Sequence, residues 1–359
     1  MGHLPIVTQN TVKDVIENGF ISTRGNLEQL WGKTTADIFS DMLTTRKGDF
    51  VFPWIIAGDG GVNLGFKYIF HVAGPPIFVR GEEYPVKVPL GSEGLEYLNP
   101  LPEAAALELW DSKLLWNAIG KKSLRRGRSL THQTPMEDER LINLLNSVNP
   151  EGTKILTLGN AAYAGVPVTI DTTKYEWDPK LLSKLEKLPA YDRLSELDLS
   201  GIPWRSGNVF NVEKSLEAWI MENIDKVAGK ELRENVLEPD LKIEWFGNYL
   251  PFGVAGSNMD VVVFQSNDYR KLATIIELKV SSLRADGFIA AAKQVQMYCE
   301  FIENAFKAYG ESIEARGFVI SGPSRVYAAN ATGIEKLNIE WITYYIDGSG
   351  EVHFEHFLP

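Results

Sequence analysis

Along the C-terminal part of the chain, segments with the apolar spacing of a helix are followed by segments with the apolar character of strands. From about residue 206, a long amphipathic helical pattern precedes several short apolar segments of strand character, and a second helical pattern divides those segments. In chain order they are "NVEKSLEAWIMENIDKVAG" (helix), "IEWFGNYLPFG", "MDVVVFQ" and "ATIIELKVSS" (strands), "FIAAAKQVQMYCEFIENAFKAYG" (helix), and "ARGFVISG" and "EWITYYI" (strands). This order predicts an α/β sandwich with a mixed central sheet.

The first 150 residues follow a different pattern. Three short β-rich runs are interrupted by Gly and Pro, as in a curled sheet or small barrel, namely "GDFVFPWIIAG", "FKYIFHVAGPPIFV" and "EYPVKVPLG". Helical patterns lie on both sides of these runs, with "PMEDERLINLLNSV" as the last of them. We therefore predict an α/β protein of two domains, residues 1–150 and residues 206–359, with residues 151–205 as a linker or bridging segment.

Composition narrows the class of protein without identifying it. The 359 residues are 44% hydrophobic and 11% aromatic, which is typical of a folded globular protein. No apolar run approaches the roughly 18 residues of a membrane span, and a basic flank with an apolar core is absent from the first residues. The single cysteine, Cys299, excludes a disulfide framework and a cysteine zinc site within one chain. We expect no membrane association and a cytoplasmic location.

The net charge of −11 argues against a protein that coats nucleic acid indiscriminately. The segment "KKSLRRGRS" is a local exception, because its cations are not accompanied by an acid. Two interpretations remain open, a solvated loop or a surface that contacts DNA phosphates. The five cations are Lys121, Lys122, Arg125, Arg126 and Arg128.

The apolar segment "TIIELKVSS" carries two charges, Glu277 and Lys279, at positions where an interior strand would have apolar side chains. Side chains two residues apart on a strand share a face and lie roughly 7 Å apart along it. Because a buried charge without partners costs several kcal/mol, this pair requires compensation from within the protein or from a ligand.

Asp260 begins the preceding apolar run, "DVVVF", and the turn at residues 266–271 allows the two segments to pair as an antiparallel hairpin. Asp260 can then approach Glu277, and two such carboxylates form a site for Mg²⁺, with Mn²⁺ as a substitute. Lys279 beside them would position the attacking water or help to deprotonate it, and the metal lowers the pKa of that water. The pattern predicts metal-assisted hydrolysis of a phosphodiester.

Asp260 followed by the Glu277–Lys279 pair resembles the D…(E/D)xK signature of the PD-(D/E)XK nuclease superfamily. Together with "VEKSLEAWIMENID" and "AAKQVQMYCEFI", the region from about 206 to 310 resembles the C-terminal domain of the NucS/EndoMS endonuclease family. The resemblance implies a PD-(D/E)XK fold for this domain and adds Glu217 and Gln294 to the catalytic residues. Met259 replaces the usual proline, and the spacing from Asp260 to Glu277 is longer than that family leads us to expect.

Plainer interpretations of the same residues remain open. An acid and a lysine flanking one residue also occur on exposed edge strands. Glu217 has a neighbouring acid, Glu213, one helical turn away, so both also fit a solvated helix face. Gln294 lies close to Gln296, and an exposed glutamine needs no functional explanation.

The N-terminal segments resemble a PUA-like domain of the EVE/YTH type, in which an aromatic pocket reads a base. By this resemblance Trp31, Trp54 and Tyr68 are candidate walls of a base pocket. A base that leaves the stack can be held between aromatic faces, although aromatic residues on strands also form barrel cores.

These observations favour a Mg²⁺-dependent DNA endonuclease of restriction or defence, located with the nucleoid, whose N-terminal domain selects the target. A mismatch-specific repair endonuclease is the alternative with the same chemistry. A nucleic-acid-binding protein without catalytic activity is the alternative from another class. Double-stranded DNA is the expected partner, and symmetric cleavage of both strands predicts a homodimer.

Overall fold

The structure is a computed structural model. It describes residues 2–23, 41–56, 64–74, 76–79, 84, 86–102, 105, 131–133, 135–159, 191–193, 205–206, 208–210, 213–252, 257–279, 283–308, 310–323 and 337–357. These residues fall into two compact units, one that contains the described residues up to 193 and one that contains those from 205 onward. Among them, no helix is both long and apolar enough to cross a membrane.

The N-terminal unit consists mainly of short strands. Its elements are β1 (Gly2–Leu4), β2 (Ile6–Thr8), α1 (Gln9–Asn18), β3 (Phe20–Thr23), β4 (Phe50–Val51), β5 (Trp54–Ile56), β6 (Gly65–His71), β7 (Ile77–Val79), β8 (Val86–Pro89), β9 (Glu93–Leu101), β10 (Thr131–Gln133), α2 (Pro135–Ser147), β11 (Thr153–Thr157) and β12 (Tyr191–Arg193). One sheet has the order β10-β1-β4-β6-β5-β2, with β9 joining β6 and β11 joining β9. A smaller sheet has the order β12-β7-β8-β3.

The interior of this unit is apolar and rich in aromatic residues. The α1 helix begins where Thr8 Oγ1 accepts a hydrogen bond from the Thr11 amide at 3.2 Å, and it ends at Gly19, whose φ of 70° suits a glycine. One buried cluster combines side chains from the larger sheet and from α2. Its members are Leu4, Phe52, Trp54, Phe66, Ile69, Tyr97, Leu101, Leu141 and Leu145.

The C-terminal unit is built on one six-stranded sheet. Its elements are β13 (Arg205–Ser206), β14 (Val209–Phe210), α3 (Glu213–Asn223), a 3₁₀ turn (Val227–Gly229), α4 (Lys230–Val236), β15 (Lys242–Phe252), β16 (Ser257–Ser266), β17 (Lys271–Lys279), α5 (Ala285–Ala308), β18 (Glu314–Ser321), β19 (Ile339–Ile346) and β20 (Val352–His356). The strand order is β15-β16-β17-β18-β19-β20. Since β17, β18 and β19 are parallel and the other neighbours are antiparallel, the sheet is mixed and the α/β class is confirmed.

The sequence places the central strand and its covering helix unambiguously. Every residue of β17 from Leu272 to Leu278 is buried, so both faces of the strand are covered. A parallel connection to β18 requires a crossover, and the 24-residue α5 provides it. At Gly317 in β18 the helix comes so close that an added Cβ would lie 2.4 Å from Val295 Cγ1.

Gly317→Ala tests this close packing. The new methyl group would also meet Ile339 Cδ1 at 2.6 Å, so the side chains of Val295 and Ile339 must both shift in a tightly packed interior. We expect a loss of about 1–3 kcal/mol in the free energy of unfolding, measured by chemical denaturation. Gly348→Ala is the control, because an added Cβ there meets no atom within 4 Å. Equal stability of the two variants would contradict the tight packing of α5 on β18.

Candidate functional site

The register of the β16–β17 hairpin brings Asp260 and Glu277 together. Val261 pairs with Ile276, so the next positions along the two antiparallel strands are Asp260 and Glu277. Asp260 Oδ2 accepts a hydrogen bond from the Leu278 amide at 2.8 Å, which fixes the carboxylate against β17. The hairpin predicted from the sequence is therefore present, and it holds the two acids on neighbouring strands.

Lys279 is the direct partner of Glu277. Its ammonium donates to Glu277 Oε1 at 2.8 Å and to the Leu278 carbonyl oxygen at 2.7 Å, and Glu213 Oε1 lies 3.8 Å away. Glu277 is 4% exposed, and its second oxygen, Oε2, is buried and accepts no hydrogen bond from the part of the chain that the structure describes. One carboxylate oxygen of this strand is thus available to a ligand.

The α3 helix contributes Glu217, which is only 1% exposed. Lys214 Nζ donates to Glu217 Oε2, and Asn248 Nδ2 of β15 donates to Glu217 Oε1. Lys214 also lies over the ring of Tyr249, with Nζ 4.7 Å from the ring centroid. The interpretation of Glu217 as a solvated helix acid is wrong, because its carboxylate is buried between a helix and the sheet.

The backbone of β15 departs from strand geometry at the same place. Asn248 pairs with Val261 and Leu250 pairs with Met259, so Tyr249 lies at the position opposite Asp260. Its φ is 57°, in the left-handed region that residues other than glycine rarely adopt. Backbone strain of this kind is concentrated at functional sites, where the surrounding structure maintains it.

Gln294 reaches the site through a tyrosine on the same helix. Its Nε2 donates to Tyr298 Oη, and that hydroxyl donates to the Asn258 carbonyl oxygen of β16 at 3.0 Å. Burial raises the pKa of Tyr298 and the Gln294 hydrogen bond opposes this, while the nearby Glu277 and Asp260 carboxylates raise it further. Gln294 is therefore a hydrogen-bonding residue of this region, and not an exposed glutamine.

The carboxylates repel one another at close range. Burial, followed by the charges of Glu277 and Glu217, raises the pKa of Asp260 to about 8. Burial also raises the pKa of Glu277, although Lys279 opposes the shift. For Lys279, burial alone would lower the pKa, but the ion pair with Glu277 outweighs it and the net shift is upward. Lys279 is consequently a cation at neutral pH.

The residues fit a hard divalent cation. Mg²⁺ prefers oxygen ligands and binds one or two carboxylates while it keeps several waters. Asp260 and Glu277 supply such oxygens, and the buried Oε2 atom without a hydrogen-bond donor is an observation that a cation would explain. A positive charge would also offset the repulsion that raises the pKa of Asp260.

Of the residues predicted to contact DNA in the N-terminal part of the chain, Trp54 and Tyr68 lie among the described residues. Trp54 is 1% exposed, and its ring packs against Phe66 at a centroid distance of 4.7 Å within the core cluster. Since no face of that ring is accessible, Trp54 is a core residue in this structure and not a pocket wall. Tyr68 is half-buried, stacks on Phe70 at 5.9 Å and donates to Glu96 Oε1 at 3.4 Å. Outside the described residues lie Trp31, Lys121, Lys122, Arg125, Arg126 and Arg128.

Three residues of the site were not predicted from the sequence. Lys214 precedes Glu217 by three positions on α3, a spacing that brings side chains together on a helix. Asn248 interrupts an otherwise apolar and aromatic strand, which is a weak signal for a buried polar partner. Tyr298 follows Gln294 by one helical turn, but nothing in the sequence indicates that its hydroxyl contacts β16.

No protein-family model matches the chain, and no curated protein matches it in sequence. Among solved structures, EndoMS in its apo form is similar over 36% of this chain and 44% of that chain, with 18% identity and a TM-score of 0.22. An EndoMS–dsDNA complex is similar over 31% of this chain and 41% of that chain, with 25% identity and a TM-score of 0.21. The matched part spans less than half the length of either EndoMS chain, and the functional interpretation below therefore depends on the site geometry.

Asp260→Asn should stabilise the metal-free protein. The variant keeps an oxygen for the Leu278 amide and removes a carboxylate that Glu277 and Glu217 repel. An acid whose pKa rises from 3.8 to about 8 on folding stabilises the fold at low pH, and this contribution is lost as the pH rises toward 8. The stability advantage of the variant should therefore grow from pH 5 to pH 8 and reach about 1–3 kcal/mol.

Chemical denaturation in EDTA at both pH values measures this difference. Asp268→Asn, in the exposed turn between β16 and β17, is the matched control and should change little at either pH. If Asp260→Asn is less stable than the wild type at pH 8, the charge of the Asp260 carboxylate is not a source of repulsion.

Proposed function

We propose that this protein is a Mg²⁺-dependent DNA endonuclease with a PD-(D/E)XK active site, acting in restriction or defence. The observation that supports it most is the convergence of Asp260 and Glu277 on paired strands, with Lys279 beside them and with Glu277 Oε2 buried and without a donor among the described residues. A divalent cation at this position would satisfy that oxygen.

Each residue of the site has a defined task in this proposal. Asp260 and Glu277 hold the cation, and Mn²⁺ can replace Mg²⁺ there. When bound, the metal lowers the pKa of a water and stabilises negative charge on the phosphate. Lys279, held by Glu277 and by the Leu278 carbonyl, orients the attacking water or a phosphate oxygen as a cation. In the metal-free protein the pKa of Lys279 is raised, against the effect of burial, by its ion pair with Glu277, which favours the ammonium form.

The surrounding residues keep this arrangement in place. Glu217 is fixed by Asn248 and Lys214 and adds negative charge next to Asp260. Gln294 orients the Tyr298 hydroxyl, which ties α5 to the first residues of β16. Groups held by several hydrogen bonds lose little freedom when substrate binds, which favours catalysis by preorganisation.

Target selection is assigned to the N-terminal unit in this proposal. A nuclease centre hydrolyses any phosphodiester that reaches it, so specificity requires a second surface. We propose that the N-terminal unit is a PUA-like module that recognises a base, with the cations of residues 121–128 contacting phosphates. We also propose that a homodimer cleaves both strands, because each site hydrolyses one phosphodiester at a time.

The chemistry is tested with supercoiled plasmid DNA in Mg²⁺, in Ca²⁺ and in EDTA. The wild type should cut only with Mg²⁺ or Mn²⁺, and Glu277→Ala should lower the rate by about 100-fold or more because it removes a metal ligand. Glu244→Ala is the control, since Glu244 is an exposed acid of β15 that pairs loosely with Lys242. If Glu277→Ala cuts DNA at the wild-type rate, the proposed active site is wrong.

The biological role is tested with a panel of duplexes that are unmodified, modified or mismatched. A restriction or defence enzyme should cut by sequence or by base modification, whereas a repair enzyme should cut mismatched duplexes about tenfold or more faster than matched ones. Preference for mismatches would replace the first role with mismatch repair. Tight binding to all duplexes without cleavage in Mg²⁺ or Mn²⁺ would instead favour a non-catalytic binding protein.

A further inference from the structure

A second lysine lies against the carboxylates of this site. Lys214 is in the first turn of α3, where its side chain is 12% exposed and its ammonium pairs with Glu217 Oε2. The same charge acts on Asp260 and Glu277, since it lowers the pKa of each carboxyl against the effect of burial. Lys214 therefore pairs directly with Glu217, and its ammonium lies over the ring of Tyr249, the residue at the position opposite Asp260.

The position of this cation on its helix is unfavourable by itself. The first turn of a helix carries a partial positive charge from its unpaired amides, which favours anions and disfavours lysine. Confining the long side chain also costs conformational entropy. The ion pair with Glu217 and the contact with the Tyr249 ring are the interactions that compensate for this placement.

The carboxylates of the site carry more charge than its ammonium groups, and one divalent cation would balance the difference. Four carboxylates lie in the cluster, those of Asp260, Glu277, Glu217 and Glu213, and two ammonium groups balance them, those of Lys214 and Lys279. With all six groups ionised, the negative charges exceed the positive charges by two. A divalent ion would complete neutrality, but Lys214 already holds one of the carboxylates that attract it.

We propose that Lys214 is an exchangeable counter-ion that competes with the divalent metal for the carboxylate cluster and so sets the metal affinity of the site. This inference rests on the metal site of the proposed function. In the metal-free protein Lys214 neutralises Glu217, and when the metal binds, the ammonium gives up part of that pairing. The Tyr249 ring, whose centroid lies 4.7 Å from Nζ, gives the displaced ammonium a favourable contact that remains.

Lys279 is a different kind of cation. Its ammonium is held at the strand by both Glu277 Oε1 and the Leu278 carbonyl oxygen, so it remains when the metal arrives. Lys214 and its partner Glu217 both lie on α3, and the ring that Lys214 contacts lies on β15. In this inference Lys279 positions the substrate, whereas Lys214 controls metal binding.

The same helix provides a matched control. Lys226, just beyond the end of α3, pairs with the buried acid Glu222 four positions earlier. This is also a pair of a lysine with a buried acid, and Lys226 is not among the principal charges that shift the pKa of Asp260 or Glu277. A general effect of removing a lysine that pairs with a buried acid should appear equally in Lys226→Met.

The test is Mn²⁺ binding without DNA, measured by isothermal titration and by the electron paramagnetic resonance of free Mn²⁺. Lys214→Met should bind Mn²⁺ about tenfold more tightly than the wild type, because a competing charge has left a partly buried site. Lys214→Gln should show the same direction if Lys214→Met does not fold. Lys214→Arg and Lys226→Met should bind no more tightly than the wild type.

Binding elsewhere on the surface is subtracted with Glu277→Ala, which keeps the partly exposed group of Asp347, Glu351 and His353. Unchanged or weaker Mn²⁺ binding by both neutral variants, or no Mn²⁺ binding by any variant, would overturn the inference. DNA cleavage by the wild type in Mg²⁺ reports on the proposed function separately. If Lys214→Met binds Mn²⁺ more tightly and the wild type cleaves no DNA, the proposed nuclease function is wrong and the counter-ion role of Lys214 stands.

Discussion

The hydrogen bond from the Leu278 amide to Asp260 Oδ2 is the interaction on which the site depends. It is possible only because β16 and β17 pair in the register that places Val261 opposite Ile276. A shift by one residue would turn every side chain of β17 to the other face and separate the acids. The apolar residues on both strands fix that register by burial, so the hydrophobic core determines where the charges lie.

Carboxylates held together in this way make the fold less stable than it could be. Like charges in a buried place cost free energy, and the raised pKa of Asp260 is one expression of that cost. The two lysines compensate in part, each through a different acid. The protein retains repulsion that an apolar core would avoid, which is common where a site must receive a cation.

The sequence predicts the parts of this arrangement that depend on local pattern. The order α3-β15-β16-β17-α5-β18-β19, the β16–β17 hairpin and the proximity of Asp260 to Glu277 follow from hydrophobic period and turn signals, whereas α4 and β20 were not predicted. Contacts between separate elements do not follow, and the role of Asn248 or Tyr298 becomes visible only after the chain is folded. Trp54 shows the same limit, because a strand pattern identifies a buried face without showing whether a pocket or a core covers it.

The strand order of the C-terminal sheet affects how the protein folds. Each of the six strands pairs with its neighbour in sequence, so the sheet can grow by closures between successive strands, one of which is the crossover through α5. The hairpin with the acids is among the shortest of these closures, whereas Glu217 and Tyr298 join from helices on either side of it in sequence. Folding of this unit therefore brings the first two carboxylates together by a local step and completes the pocket around them by longer-range packing.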